Sequence, residues 1–162
     1  MNKYYFNRKP KAAQTAKKEV KKTTSKSKPN LVKKLDRVFS LYIRLRDVMP
    51  NGFTRCISCG KIKSFEDMDC GHFYSRTHMA TRFDEDNCNA ECKFCNRFSA
   101  DHLISYQTNL IRKIGISRFD KLGLKAKSTC HWLDSELEER IKYYSQKVNE
   151  LSHEKAIRVK VK

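Results

Sequence analysis

The sequence predicts an α+β chain: a small cysteine-clamped core flanked by α-helices and led by a disordered basic arm. Three observations predict it. Two Cys-x-x-Cys pairs, Cys56/Cys59 and Cys92/Cys95, enclose a polar insert. Helical apolar periodicity lies on either side of them. The first thirty residues are dense in lysine, and the segment from Lys9 to Lys28 holds almost no apolar anchors.

The arm comes first. The chain has 162 residues, with 35 Lys and Arg against 18 Asp and Glu, a net charge of +17. Residues 1–34 alone contain eleven Lys, one Arg and one Glu. Such a segment buries too little apolar surface to offset its ordering entropy, so 1–30 reads as a disordered arm. Its lysines, including Lys17, Lys18, Lys21 and Lys22, suit phosphate contacts, or simply solubility. The charge makes nucleic acid the first partner to expect and an anionic membrane surface the second. No apolar run of ~18 residues is present, which excludes a transmembrane span by this reading. No secretory leader is recognisable, so a reducing cytoplasm is expected, where cysteines bind metal more readily than they form disulfides.

The next element is an amphipathic helix over 31–50, with Asn30 as its N-cap. Leu31, Leu35, Val38, Leu41, Tyr42, Leu45 and Val48 form its apolar stripe, and Met49-Pro50-Asn51-Gly52 ends it. Lys33, Lys34, Arg37, Arg44 and Arg46 fall off that stripe as a basic outer face. The core, over 51–116, follows. Its two cysteine pairs offer four thiolates, the tetrahedral set of a structural zinc site with no position open for catalysis. Arg55, Lys61 and Lys93 would offset the net −2 of such a site. Cys70, Cys88 and Cys130 are left without a role. Within 103–114 a further helix is expected, with Gly115 as its C-cap. The region 117–155 is expected to be helical. There Ser135 and Glu138 fit a capping box, and Leu137, Ile141, Tyr144, Val148 and Leu151 form a seam. That seam suits packing on its own domain, or on a second copy in a homodimer. Residues 156–162 read as a basic tail.

Thirty-two residues separate Cys59 from Cys92, against about 15–20 in a plain zinc ribbon. The insert holds Asp69-Cys70-Gly71-His72-Phe73 and Arg82-Phe83-Asp84-Glu85-Asp86-Asn87, and the second knuckle reads Cys92-Lys93-Phe94-Cys95-Asn96. Together with Cys56-Ile57-Ser58-Cys59-Gly60, these segments resemble the HNH nuclease superfamily, and more closely the NinG (Rap) family of phage recombination endonucleases. The resemblance covers about residues 31–152, including Ile104 to Gly115 and His131-Trp132. It implies a ββα-metal core and a phage or prophage protein that cleaves branched DNA in the host cytoplasm.

The resemblance also implies roles. His72, at the end of the first strand, is the general base on water. Asn87, in the loop, orients it. Asp69 and Asn96 hold a catalytic Mg²⁺ or Mn²⁺, with Asn96 opening the helix. Arg76 and Arg97 contact DNA. Phosphodiester hydrolysis suits such a set: an imidazole with a pKa near 6.5 can take the proton, and a hard cation can neutralise the phosphate. Gly71 stands where many HNH nucleases carry Asp or His, leaving Asp69 as the nearest upstream carboxylate. His78 and His102 are reserve candidates. The competing reading is a zinc-containing, non-catalytic module that binds nucleic acid.

Overall fold

A computed structural model describes residues 28–159. The order is α1 (Lys28–Arg46), β1 (Thr54–Arg55), β2 (Ile62–Lys63), a 3-10 turn (Phe65–Asp67), β3 (Met68–His72), β4 (Cys88–Cys92), α2 (Lys93–Phe98), α3 (His102–Ile114), α4 (Ile116–Ala126) and α5 (Asp134–Glu154). This is the expected α+β mixture of helices and small sheets. The arm lysines, and residues 160–162, lie outside the described residues.

Helix α1 packs along α5. Leu31, Leu35, Val38, Phe39 and Tyr42 are buried against Leu137, Ile141, Tyr144 and Val148. Phe39 and Tyr144 meet edge to face, 4.9 Å between centroids. The α5 seam is therefore occupied by α1 of the same chain. The helix also touches the β3–β4 hairpin, and that second contact corrects three expectations. Phe39 and Ile43 are buried although neither belongs to the expected stripe, and Leu41 is only half-buried. Arg44 and Arg46 do not face outward. Arg44 donates to the Met68 carbonyl and lies over the Phe65 ring, while Arg46 donates to the carbonyls of Glu85 and Cys88. Among the described residues α1 already includes Lys28, so Asn30 is inside the helix rather than its cap, and the helix ends at Arg46.

Two further boundaries differ. Helix α5 starts one residue before Ser135: the Leu133 N–H donates to the Glu136 carboxylate at 2.7 Å, in place of a Ser135/Glu138 box. The chain after α5 folds back instead of fraying. Ile157 and Val159 pack on the main core, and Lys155 Nζ donates to the Val48 carbonyl at 2.7 Å. Helix α3 lies where periodicity placed it, with Gly115 at φ +82° closing it. Helix α4 follows at once, and its Leu122 packs with Tyr106, Leu110 and Phe73 in a second cluster. Among the described residues no helix is long and apolar enough to cross a membrane.

The hairpin is the element that positions the site. Strands β3 and β4 pair antiparallel, with Met68 opposite Cys92, Asp69 opposite Glu91, Cys70 opposite Ala90, Gly71 opposite Asn89 and His72 opposite Cys88. Side chains alternate across a strand. One face therefore carries Cys70, His72 and Cys88, and the other carries Asp69, Gly71, Asn89 and Glu91.

Candidate functional site

The two cysteine pairs converge. Cys56 and Cys59 lie in the β1–β2 turn, where Gly60 adopts φ +71°. Cys92 ends β4 and Cys95 lies one turn into α2. All four sulfurs lie within 4.8 Å of one another, and Cys59 Sγ is 3.9 Å from Cys92 Sγ. Tetrahedral zinc with bonds of about 2.3 Å sets sulfurs roughly 3.8 Å apart, so the cluster could hold a metal such as zinc. Backbone N–H groups already point at the sulfurs: Cys92 N–H lies 3.3 Å from Cys56 Sγ, and Lys61 N–H faces Cys59. Burial pushes the Cys56 thiol up to about 11, so a bound cation rather than ambient pH would hold it as thiolate.

On the first face of the hairpin, His72 is half-buried. Its Nδ1 lies 3.2 Å from the Cys70 carbonyl and its Nε2 lies 3.1 Å from the Arg82 carbonyl. Burial, and then the nearby Arg76 charge, lower its pKa below the ordinary histidine value. The ring is thus neutral at neutral pH and carries one N–H, so only one of the two carbonyl contacts is a hydrogen bond. Asn87 is fully buried just before β4. Its Oδ1 accepts from the Tyr74 N–H at 2.7 Å, and its Nδ2 donates to the carbonyls of Tyr74 and Thr81. It therefore ties both ends of the 73–87 loop, the loop that carries Arg82 to His72. Arg76 is exposed on that loop.

On the second face, Asp69 and Asn96 meet: Asn96 Nδ2 donates to Asp69 Oδ2 at 3.1 Å. Arg97 grips the same carboxylate with Nε at 2.7 Å and Nη2 at 2.9 Å. Burial raises the Asp69 carboxyl, but Arg97, Asn96 and the Lys93 charge outweigh it and hold its pKa below the usual value. Asn96 is the fourth residue of α2 rather than its opening residue, because Cys92 holds the N-cap position. The expected residues thus separate. Asp69, Asn96 and Arg97 come together on one face, His72 lies on the other, and Asn87 acts on the 73–87 loop without touching the His72 ring.

The structure adds residues that motif reading left aside. Glu91 is fully buried on the second face, where its Oε1 accepts from the Ser58 hydroxyl at 2.5 Å and lies 2.7 Å from His102 Nδ1. Its Oε2 is buried without a partner among the described residues. The buried Tyr106 hydroxyl reaches both strands, donating to the Gly71 carbonyl and accepting from Asn89 Nδ2. Asp47 accepts from Arg46, from Lys113 Nζ at 3.0 Å and from the Ala90 N–H at 2.8 Å. In the sequence, the one signal for Glu91 is Gly71: a residue with no side chain makes room for a cross-strand neighbour.

A protein-family profile described as "Bacteriophage Lambda NinG protein" matches residues 3–154. A protein named "Protein ninG" of Salmonella phage P22 is 31% identical over 137 residues, 82% of this chain and 63% of that protein. The protein of the same name from Escherichia phage lambda is 29% identical over 143 residues, 85% of this chain and 65% of that protein. The one from Escherichia phage 933W is 32% identical over 108 residues, 64% of this chain and 50% of that protein. The chain thus spans from half to just under two thirds of the length of these relatives. No solved structure matches it.

Proposed function

The chain belongs to the NinG family, and from that membership and the geometry of the hairpin we propose that it is a metal-dependent endonuclease of the HNH type, related to the Rap endonucleases, hydrolysing phosphodiester bonds in branched DNA. The observation that carries the proposal is the unit itself. A two-stranded hairpin runs directly into a helix, four convergent thiols tie its ends, and a buried Asn87 closes its loop onto His72. A non-catalytic zinc module needs the four convergent thiols, but not a conjunction of hairpin, helix and an imidazole addressed by a pinned loop.

In this reading His72 takes the proton from water. Nδ1 donates to the Cys70 carbonyl, and the attacking water takes the place of the Arg82 carbonyl at Nε2. Asn87 holds the loop in register, and Arg76, whose charge already acts on His72, meets the phosphate. A divalent ion would supply charge neutralisation on the phosphate and the leaving oxygen. The Asp69 carboxylate and the Asn96 amide oxygen are hard donors of the kind Mg²⁺ or Mn²⁺ prefers. The two side chains already meet, through Asn96 Nδ2 on Asp69 Oδ2. They fit such an ion once the Asn96 amide turns its oxygen toward it and Arg97 moves from Asp69 to a DNA phosphate. The four-thiol cluster is the structural zinc site, the arm lysines add sequence-independent affinity, and the site of action is the host cytoplasm.

A second reading exchanges the base. His102 shares the hairpin face of Asp69 and Asn96, and the buried Glu91 orients its ring. The deciding experiment is cleavage of matched-sequence duplex, flap, D-loop and four-way-junction DNA in Mg²⁺ by the full chain and by His72→Ala and His102→Ala. Preferential cutting of branched forms, lost in His72→Ala and kept in His102→Ala, supports the first assignment. The reverse pattern supports the second. DNA binding without cleavage on every substrate would return the chain to the binding-module class.

A further inference from the structure

Cys70 and Cys88 have no part in the nuclease reading, yet they flank its central residue. Cys70 and His72 are two apart on β3, and Cys88 stands opposite His72 on β4. The two sulfurs and a ring nitrogen lie within 4.8 Å of one another, and both cysteines are buried. A backbone oxygen joins them: the Arg82 carbonyl is 3.1 Å from His72 Nε2 and 3.7 Å from Cys88 Sγ. This nest consists of groups that donate to a cation.

We propose that Cys70, His72 and Cys88 form a second metal site, taking one zinc-class divalent ion with the Arg82 carbonyl oxygen as fourth ligand. Thiolate and imidazole select zinc, cobalt or cadmium over magnesium. Charge fits burial. Binding releases the two thiol protons to solvent, and two thiolates, a neutral imidazole and a carbonyl balance the +2 ion, giving a neutral site that suits a dry interior. The site is separate from the four-thiol cluster. Cys88 and Cys92 are four residues apart on one strand, roughly 13 Å at a strand rise of about 3.3 Å per residue. An ion here also takes the lone pair that a base at His72 needs, so the site would be inhibitory; that consequence rests on the nuclease reading, while the site itself does not.

The test counts ions instead of cleavage, so its failure leaves the nuclease reading intact and the reverse also holds. Native mass spectrometry of the full chain loaded with Zn²⁺ should show two ions per molecule, falling to one in Cys70→Ser and in Cys88→Ser. A second measurement needs no variant. With Co²⁺ in both sites, thiolate-to-cobalt absorbance comes from six thiolates rather than four, about 1.5-fold that of a single four-thiolate site. One ion per wild-type chain and a four-thiolate cobalt spectrum would overturn the proposal, as would two ions that persist in both serine variants.

Discussion

Glu91 occupies the space that any side chain at position 71 would need: a Cβ on Gly71 would overlap the Glu91 carboxylate and lie 2.8 Å from the Glu91 Cβ. Gly71 has no positive φ, so the requirement for glycine is one of space, not of backbone conformation. Glu91 cannot easily yield, because Ser58 and His102 hold its Oε1 in a fully buried position. Gly71→Ala should cost about 1–3 kcal/mol, as overpacking does. In a Glu91→Ala background the same substitution should cost less, since the carboxylate is gone. Urea denaturation of the wild type and the three variants measures the coupling; equal costs in both backgrounds would show that the pair is independent.

Removal of metal from the four-thiol cluster should unfold the hairpin region rather than loosen it. Among the described residues, the cluster at that end of the core adds only Met68 to the cysteines as a buried apolar side chain. Structural zinc binds with an apparent ~10–16 kcal/mol in small zinc peptides, as much as the ~5–15 kcal/mol net stability of a typical domain. Chelation, or Cys95→Ser, should abolish protection of the β3–β4 amides in hydrogen exchange. Retained protection with no bound ion would contradict the structural role.

Much of this architecture was legible in the sequence, for identifiable reasons. The cysteine pairs have fixed spacing, and the strand end at His72 is where the resemblance implies it. The α3 stop at Gly115 is equally local. What remained hidden depends on burial from two directions. Arg46 looks like a surface residue by periodicity, yet the hairpin covers it and gives its guanidinium the Glu85 and Cys88 carbonyls. The split between His72 and Asn96 follows from strand parity: Asp69 and His72 are three residues apart and face opposite ways, which a motif read as a string does not express.

The arm prediction concerns residues outside those described. Deleting residues 1–27 should weaken binding to all DNA forms alike and flatten the dependence of affinity on salt, because lysines release counterions from any sequence. An unchanged salt slope would move the phosphate contacts to the folded part, where Arg76 and Arg97 are exposed.

Acid should destabilise the fold through Asp47. Burial alone raises its carboxyl, but Arg46, Lys113 and the Ala90 N–H more than compensate, so the folded pKa lies below the ordinary carboxylate value. A carboxylate depressed by folding stabilises fully above its unfolded pKa of about 3.9, and the contribution is lost as pH falls through the lower, folded value. Asp47→Asn should therefore cost on the order of 1–3 kcal/mol near neutrality, as a buried N–H and guanidinium lose a charged partner. The variant should also show a shallower acid limb in stability plotted from pH 5 to 2. Parallel limbs for the two proteins would place the acid sensitivity elsewhere.

The separation of His72 from Asn96 makes their substitutions distinguishable. His72→Ala should reduce cleavage of branched DNA by about 10²–10⁴-fold, the usual worth of positioned proton transfer, with the four-thiolate zinc and DNA binding retained. Extra Mg²⁺ should not restore it. Asn96→Ala removes an amide that touches Asp69 without altering His72, so it should shift the Mg²⁺ midpoint upward and recover part of its rate at high Mg²⁺ or with Mn²⁺. Its site in the fourth position of α2 excludes a helix-cap explanation for such a shift, because that position does not cap. Arg97→Ala supplies the control: it frees the Asp69 carboxylate, so it should lower the Mg²⁺ midpoint while weakening DNA binding. Rates against Mg²⁺ concentration for the three variants decide the matter. If Asn96→Ala and Arg97→Ala leave the midpoint where the wild type has it, the divalent ion is not held at Asp69 and Asn96. The Glu91 face beside His102 then becomes the place to look for it.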